Sequence, residues 1–201
     1  MVVERKLIRG KSVALRPYQA GFTEEELYRM YQWSRDEEVL RWSGGSVLLM
    51  PFDDFKKAFQ RELRRQDKHS RTFGLFTETG ELIGRLGYFN IDYRRKEAEL
   101  GILIGEKAYW GQGYGTDAVQ ALLAHVFQET DLERVYLNTY AENSRAQGSF
   151  EKCGFRRIGR NRRFSLDRGS HDEVQMEIHR DEWAARWAIC DGREGIEGDQ
   201  S

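Results

Sequence analysis

The chain has 201 residues, 39% hydrophobic and 32% charged, with a formal net charge of −1. That length suits one domain with a core of its own, and the near-neutral charge excludes a general nucleic-acid binder, which needs a basic excess to meet phosphate. No apolar run is long enough for a membrane span, residues 1–9 carry charges but no apolar signal segment, and Cys153 and Cys190 show no metal spacing, so no metal, no membrane and a reduced cytoplasmic setting are expected.

Val13 and Leu15, closed by Arg16-Pro17, read as a first strand. Thr23 followed by Glu26 is a capping box that opens a helix carrying Leu27, Met30, Tyr31 and Trp33. The acids Asp36, Glu37 and Glu38 are read as ending that helix in an exposed polar stretch. A loop through Arg41-Trp42-Ser43-Gly44-Gly45 leads to Pro51 and Asp53-Asp54. These open a second helix, with Phe52, Phe55, Phe59 and Leu63 at helical spacing. Residues 73–77 and 82–90 flank Glu78-Thr79-Gly80 as a hairpin. Residues 98–104 form a further strand. After a glycine-rich turn, residues 116–129 repeat apolar side chains with helical period, and 135–140 alternate as a strand. Residues 144–152 read as a short helix stopped by Gly154. Two late strands, 155–166 and 174–178, precede a closing helix over 181–188. Residues 1–190 are one domain, and 191–201 read as a disordered acidic tail. Strands and helices do not alternate throughout, which predicts a mixed α/β sheet with helices on both faces, not a doubly wound fold.

The segment Ile102-Leu103-Ile104-Gly105, then Tyr109-Trp110-Gly111-Gln112-Gly113-Tyr114-Gly115-Thr116, reads as strand, turn and helix. Alternate glycines let the backbone approach a ligand closely and adopt positive φ. Successive N–H groups of such a turn can point at phosphate oxygens, and the helix adds its positive end. Each charge-assisted hydrogen bond there contributes about 1.5–3 kcal/mol. A pyrophosphate is the natural guest. There is no GxxxxGK loop, and a dinucleotide fingerprint would need glycine where Thr116 stands. By itself the turn is explained equally well as a tight connection with no ligand. Further along comes Tyr140-Ala141-Glu142-Asn143-Ser144-Arg145-Ala146, then Phe150-Glu151-Lys152-Cys153-Gly154-Phe155. Asn143 stands where a strand hands over to a helix, a place where it could simply cap that helix.

Together these segments resemble the acetyl-CoA signature of the GNAT superfamily: a Q/R-x-x-G-x-G/A turn, then N-x-x-A near the start of a helix ending in G-F. Leu15-Arg16-Pro17, Ala98-Glu99-Leu100-Gly101 and the run from Tyr109 to Gly115 match its Rim-type branch, the N-terminal acetyltransferases of ribosomal proteins and their relatives. The resemblance runs from Lys11 to Trp183. It implies a GNAT-type central sheet splayed between its fourth and fifth strands, with acetyl-CoA as co-substrate. The pantothenate arm would lie in the V, bonded by the backbone of Ile102, Leu103 and Ile104 and by Asn143. Gly111, Gln112, Gly113, Tyr114, Gly115 and Thr116 would hold the pyrophosphate. The implied reaction is acetyl transfer to a primary amine by direct attack in a ternary complex. The acceptor would be a protein N-terminus or a small-molecule amine, and a homodimer is possible. Trp110 departs from the Gln or Arg often found there, so the backbone must hold the phosphate. Phe150 replaces a tyrosine that serves several relatives as general acid. That second departure favours the alternative, a non-catalytic acyl-CoA-binding or regulatory module on the same scaffold.

Transfer needs a neutral amine. A lysine-like amine of pKa ~10.4 is neutral about one part in a thousand at pH 7, and an α-amine of ~7.7–8.0 roughly a tenth of the time. Glu99 is the candidate base, acting through a water, at a position that matches an acidic one in relatives. It shares a strand face with Glu97, and neighbouring carboxylates resist ionising together. Solvated edge charges are the plainer reading of both. Tyr140 and Tyr109 are candidate acids. Cys153 reads as a space-filling thiol, and His125 as part of a helix face. The run Arg156, Arg157, Arg160, Arg162, Arg163 and Arg168 reads as a solvated strand and turn, or as the seat of an anionic partner. Trp33 and Trp42 read equally as pocket wall or core.

Overall fold

The structure, a computed structural model, describes residues 6–43, 45–64, 67–165 and 169–190. Gly44, Leu166, Arg168 and the expected tail over 191–201 lie outside these residues. The described strands are β1 (Ile8–Arg9), β2 (Val13–Pro17), β3 (Arg71–Thr77), β4 (Leu82–Asp92), β5 (Glu97–Ile104), β6 (Arg134–Tyr140), β7 (Arg156–Ser165) and β8 (Gly169–His179). They form one sheet in the order β1-β2-β3-β4-β5-β6-β8-β7. The described helices are α1 (Glu24–Trp33), α2 (Glu37–Leu40), α3 (Phe52–Arg64), α4 (Tyr114–Glu129), α5 (Ser144–Cys153) and α6 (Arg180–Cys190).

Every neighbouring pair of strands is antiparallel except β5 and β6. These two run parallel and pair only at Glu97↔Arg134, Ala98↔Val135 and Glu99↔Tyr136. Beyond Glu99, β5 keeps β4 alone as a partner, through Ile104↔Gly84. The sheet therefore opens into a V with its apex at Glu99 and Tyr136. The expected fourth and fifth strands are β5 and β6, because the two-residue β1 adds a strand ahead of them. Two residues are too few to carry a periodic signal.

The V exposes one backbone edge. The Gly105 N–H donates to the Ile83 carbonyl at 2.9 Å. Hydrogen bonds between antiparallel strands alternate by residue, so the backbone of Leu103 also turns toward β4. The N–H and C=O groups of Ile102 and the Ile104 N–H face the V, and the Ile104 carbonyl is taken by the Trp110 indole.

Helices cover both faces. α4 buries Ala118, Val119, Leu122, Leu123, Val126 and Phe127 against one face. Burial of each large aliphatic side chain stabilises the fold by about 1.5–3 kcal/mol. α1, α2 and α3 cover the other, where Met30, Trp33, Val39, Phe55 and Phe59 pack with Tyr18 and Leu103. The capping box forms in full: the Thr23 Oγ accepts from the Glu26 N–H at 3.2 Å, and Glu26 accepts from the Thr23 N–H at 2.8 Å.

Two of the boundaries that differ from expectation bear on the cleft. α1 ends at Trp33, and the acids that follow do not terminate it. Asp36 instead caps the separate α2, accepting from the N–H groups of Glu38 at 2.9 Å and Val39 at 3.2 Å. Lys107 then ties Asp36 (2.8 Å) and Glu38 (2.6 Å) to the segment after β5. α4 begins at Tyr114, two residues early, because Gly113 at φ +90° provides the non-helical cap residue. Tyr114, Gly115 and Thr116 are thus a first helical turn.

Candidate active site

The turn between β5 and α4 holds two glycines in the left-handed region, Gly111 at φ +75° and Gly113 at +90°. A Cβ on either would meet no heavy atom within 4 Å, so open space lies beside both. Their conformation, rather than crowding inside the fold, is what requires glycine. Gly115 is helical, and a Cβ there would stand 3.9 Å from the Ile102 and Ile104 side chains, an ordinary contact. The start of α4 is anchored from several sides. The Asp117 carboxylate accepts from the N–H groups of Lys11 at 2.9 Å and Ser12 at 2.6 Å. The Thr116 hydroxyl pairs with Ser149 at 2.8 Å. The Cys153 thiol donates to the Thr116 carbonyl at 3.5 Å. Burial pushes that thiol up to about 12, so it stays protonated and is no nucleophile.

Trp110 takes a part that its residue type alone conceals. Its indole N–H donates to the Ile104 carbonyl at 2.9 Å. The Arg145 guanidinium lies 4.6 Å from the centre of the indole ring. Trp110 follows β5 and Arg145 lies in the first turn of α5, so this cation–π contact bridges the two arms of the V.

A cleft of about 1330 Å³ runs along the V. Its wall brings together Glu99, Ile102, Leu103, Ile104, Gly111, Gly113, Gly115, Thr116 and Asn143. Gln112 and Tyr114 are not on that wall. The Gln112 amide folds back onto the Ala108 carbonyl, and the Tyr114 ring packs edge-on against Tyr109 at 5.0 Å. Asn143 caps α5, accepting from the Ala146 N–H at 3.1 Å. Its amide N–H groups meet no protein acceptor among the described residues, and the residue lines the cleft.

At the apex, the Glu99 carboxylate is gripped on both oxygens. Asn138 donates to one and Asn90 to the other, each at 2.9 Å. Glu97 is not left facing it as a second bare carboxylate, because Arg134 holds Glu97 at 2.5 Å. Tyr136, opposite Glu99, was not among the expected acids. Burial raises its phenol, and the nearby charges of Glu99 and Glu97 raise it further. Period-two alternation in β6 puts Arg134, Tyr136 and Asn138 on one face. Only the parallel register brings that face against Glu99.

Of the two expected acids, Tyr109 lines the cleft and Tyr140 does not. The Tyr109 hydroxyl donates to Glu81 at 2.6 Å, and that bond is the main cause that holds its phenol high. The Tyr140 ring packs on His171 at 4.9 Å and near Trp42 at 6.1 Å, off the cleft wall. Phe150 is buried against Phe155. Trp33 is core, its indole donating to Glu106 at 2.9 Å, whereas Trp42 lines the cleft. The basic run is largely neutralised within the fold: Arg156 pairs with Glu177, Arg157 with Glu151, Arg160 with Asp172 and Arg163 with Glu173. Among the described residues no helix is long and apolar enough to cross a membrane.

The splayed sheet, the glycine turn and the capped α5 define an acyl-CoA-type cleft. The family model described as the acetyltransferase (GNAT) domain matches residues 14–156. An N-acetyltransferase of Bacillus licheniformis designated p20 is 28% identical over 149 residues, covering 72% of this chain and 80% of the relative. A Bacillus subtilis protein described as a putative ribosomal N-acetyltransferase is 29% identical over 134 residues, covering 65% and 72%. The crystal structure of spermidine N-acetyltransferase from Vibrio cholerae, in complex with CoA and spermine, superposes with a TM-score of 0.74 at 21% identity, covering 86% of this chain and 98% of that one. The chain belongs to the GNAT family and is an acetyl-CoA-dependent N-acetyltransferase.

Proposed function

We propose that the enzyme transfers acetyl to a primary amine by direct attack in a ternary complex, with Glu99 as base and Tyr136 as acid. The observation that carries this is the juxtaposition of those two side chains at the apex of the V. The phosphate-binding turn lies at the other end. From Leu100 to Ile104 the open edge spans about 13 Å at ~3.3 Å per residue, which suits an extended arm carrying a thioester to the apex. In this reading Gly111 and Gly113 hold the pyrophosphate with backbone N–H groups, and Arg145 adds the cation that Trp110 does not supply. The edges of Ile102 and Ile104, with the Asn143 amide, hold the arm. Leu103 contributes its side chain to the wall, since its backbone is turned to β4.

Glu99, directly or through one water, takes a proton from the amine as the nitrogen bonds to the thioester carbonyl carbon. Tyr136 gives its proton to the sulfur as the C–S bond breaks. The products are an N-acetyl amide and the free CoA thiol; Glu99 then releases its proton to solvent and Tyr136 recovers one. The Rim-type words around Leu15, Ala98 and Tyr109 support a place in that branch, and the buried, reduced Cys153 suits a cytoplasmic setting. The test is thiol release from acetyl-CoA across a panel of amines. Turnover with one amine class and tight CoA binding are expected. CoA binding with no thiol release from any amine would favour a non-catalytic module.

A further inference from the structure

The face of the cleft beyond Glu99 is a trough cut by missing side chains. Gly87 and Gly101 sit opposite each other on β4 and β5. On one side of them stand Phe89 and Glu99, and on the other Arg85 and Leu103. Side chains two residues apart along a strand share a face, so Glu99 and Arg85 rise from the same floor at opposite ends. Their backbone positions are about 13 Å apart along the strands, at ~3.3 Å per residue. A Cβ on Gly101 would lie 2.9 Å from the Phe89 ring, and one on Gly87 would meet the Arg71 carbonyl, so only glycine fits at either position and the Phe89 ring lies low over Gly101 between the two ends.

The charges around this trough are not equivalent. Glu97 has Arg134, and Glu173 has Arg163 at 2.9 Å. Glu99 has two amides and no cation. Arg85 is exposed, lines the cleft and bonds the buried Tyr18 hydroxyl. No carboxylate among the described residues pairs with it. A guanidinium held in place by a phenol and lacking an internal anion is a fork for a carboxylate or phosphate of a ligand. The same group repels a polycation, which would have to bring a second positive charge to the end where Arg85 stands.

We infer that the acceptor is a primary amine that also carries an anionic group, with its amine at Glu99 and its anion on Arg85. This rests on the proposed acetyl transfer and narrows it to a substrate class.

The test is calorimetric binding to the CoA-saturated protein, with a glutamate-containing dipeptide and spermidine as the two probes. The parent should bind the acidic dipeptide at least tenfold more tightly than spermidine. Arg85→Ala should weaken the dipeptide at least tenfold, and Arg85→Glu should reverse the order of the two probes. CoA affinity should be the same in all three proteins, which shows that the variants are folded. Spermidine binding the parent as tightly as the dipeptide, or Arg85→Ala weakening both probes equally, would overturn the inference. Failure of the parent to bind CoA at all would remove the acetyl-transfer reading, and this inference with it. Thiol release with acetyl-CoA provides the kinetic counterpart: the KM for the dipeptide should rise in Arg85→Ala while the KM for spermidine falls.

Discussion

The two halves of the cleft are built from different material. The half we assign to the donor is mostly backbone: the strand edge at Ile102 and Ile104, and a turn shaped by Gly111 and Gly113 at positive φ. The half we assign to the acceptor is mostly side chain: Glu99 clamped by two asparagines, Tyr136 beside it, and Arg85 beyond the facing glycines. A backbone site tolerates many side chains but few conformations. A side-chain site tolerates many conformations nearby but few residue types. Substitutions should therefore separate the halves, with donor affinity failing through glycine and turnover failing through Glu99 and Tyr136.

Gly113→Val gives the largest expected effect on donor binding. It forces a β-branched residue to φ +90°, at a cost of about 1–3 kcal/mol, and fills the space beside the turn. Losing two charge-assisted bonds at about 1.5 kcal/mol each reduces affinity ~10²-fold or more. Calorimetry with CoA checks this, and circular dichroism checks the fold. Parent-like affinity would show that the turn is not the phosphate cradle.

Glu99→Gln should lower turnover by ~10²–10⁴ with CoA affinity unchanged, as for loss of a general base. The pH dependence sharpens the comparison. The variant relies on amine that is already neutral, and that fraction grows as pH rises toward the amine's own pKa. Recovery within about one pH unit of neutrality indicates an α-amine of ~7.7–8.0; recovery only near ~10 indicates a lysine-like amine. A pH–rate profile identical to the parent's would remove Glu99 from the mechanism.

Tyr136→Phe should lower kcat by about 10², the lower end for loss of a general acid. Burial, aided by the Glu99 charge, holds this phenol above its ordinary value, near ~10 in water. It therefore stays protonated through neutral pH and ionises only above that value. The parent should lose activity there, and the variant should lack that basic limb. An unchanged limb would assign it to another group.

The smallest effect belongs to Arg145→Ala. Its guanidinium is exposed and stacked on Trp110, so its contact with phosphate is screened and contributes about 0.5–1 kcal/mol. CoA should bind roughly two- to fivefold more weakly, with a shallower salt dependence. No change in either would leave the stack as a brace across the V.

The difference between the halves also explains what could be read before folding. Residues near in sequence determine the capping box at Thr23, the hairpin at Gly80, the period of α4, the cap at Asn143 and the glycine turn. Each depends on local dihedrals and on spacing within one element, so composition and order suffice. The acid at position 99 was legible through its place on the strand before that turn. Tyr136 was not, because its neighbour Glu99 lies on another strand and their meeting depends on a register of three parallel pairs. Asn90 and Asn138 read as ordinary polar strand residues until that register places both amides on one carboxylate. Tyr109 looked available until β4 brought Glu81 to its hydroxyl. Arg85 looked like one of many surface arginines; pairing of Gly87 with Gly101 made it the far end of a trough, and the arrangement of the other acids left it without an anion. The sequence alone thus determined most of the elements, the glycine turn and the family, since those are written in contiguous residues. The tertiary structure decided which side chains share a charge, which are neutralised and which remain open to a substrate, because Coulombic and hydrogen-bond partners are set by distances between strands that the chain order does not contain.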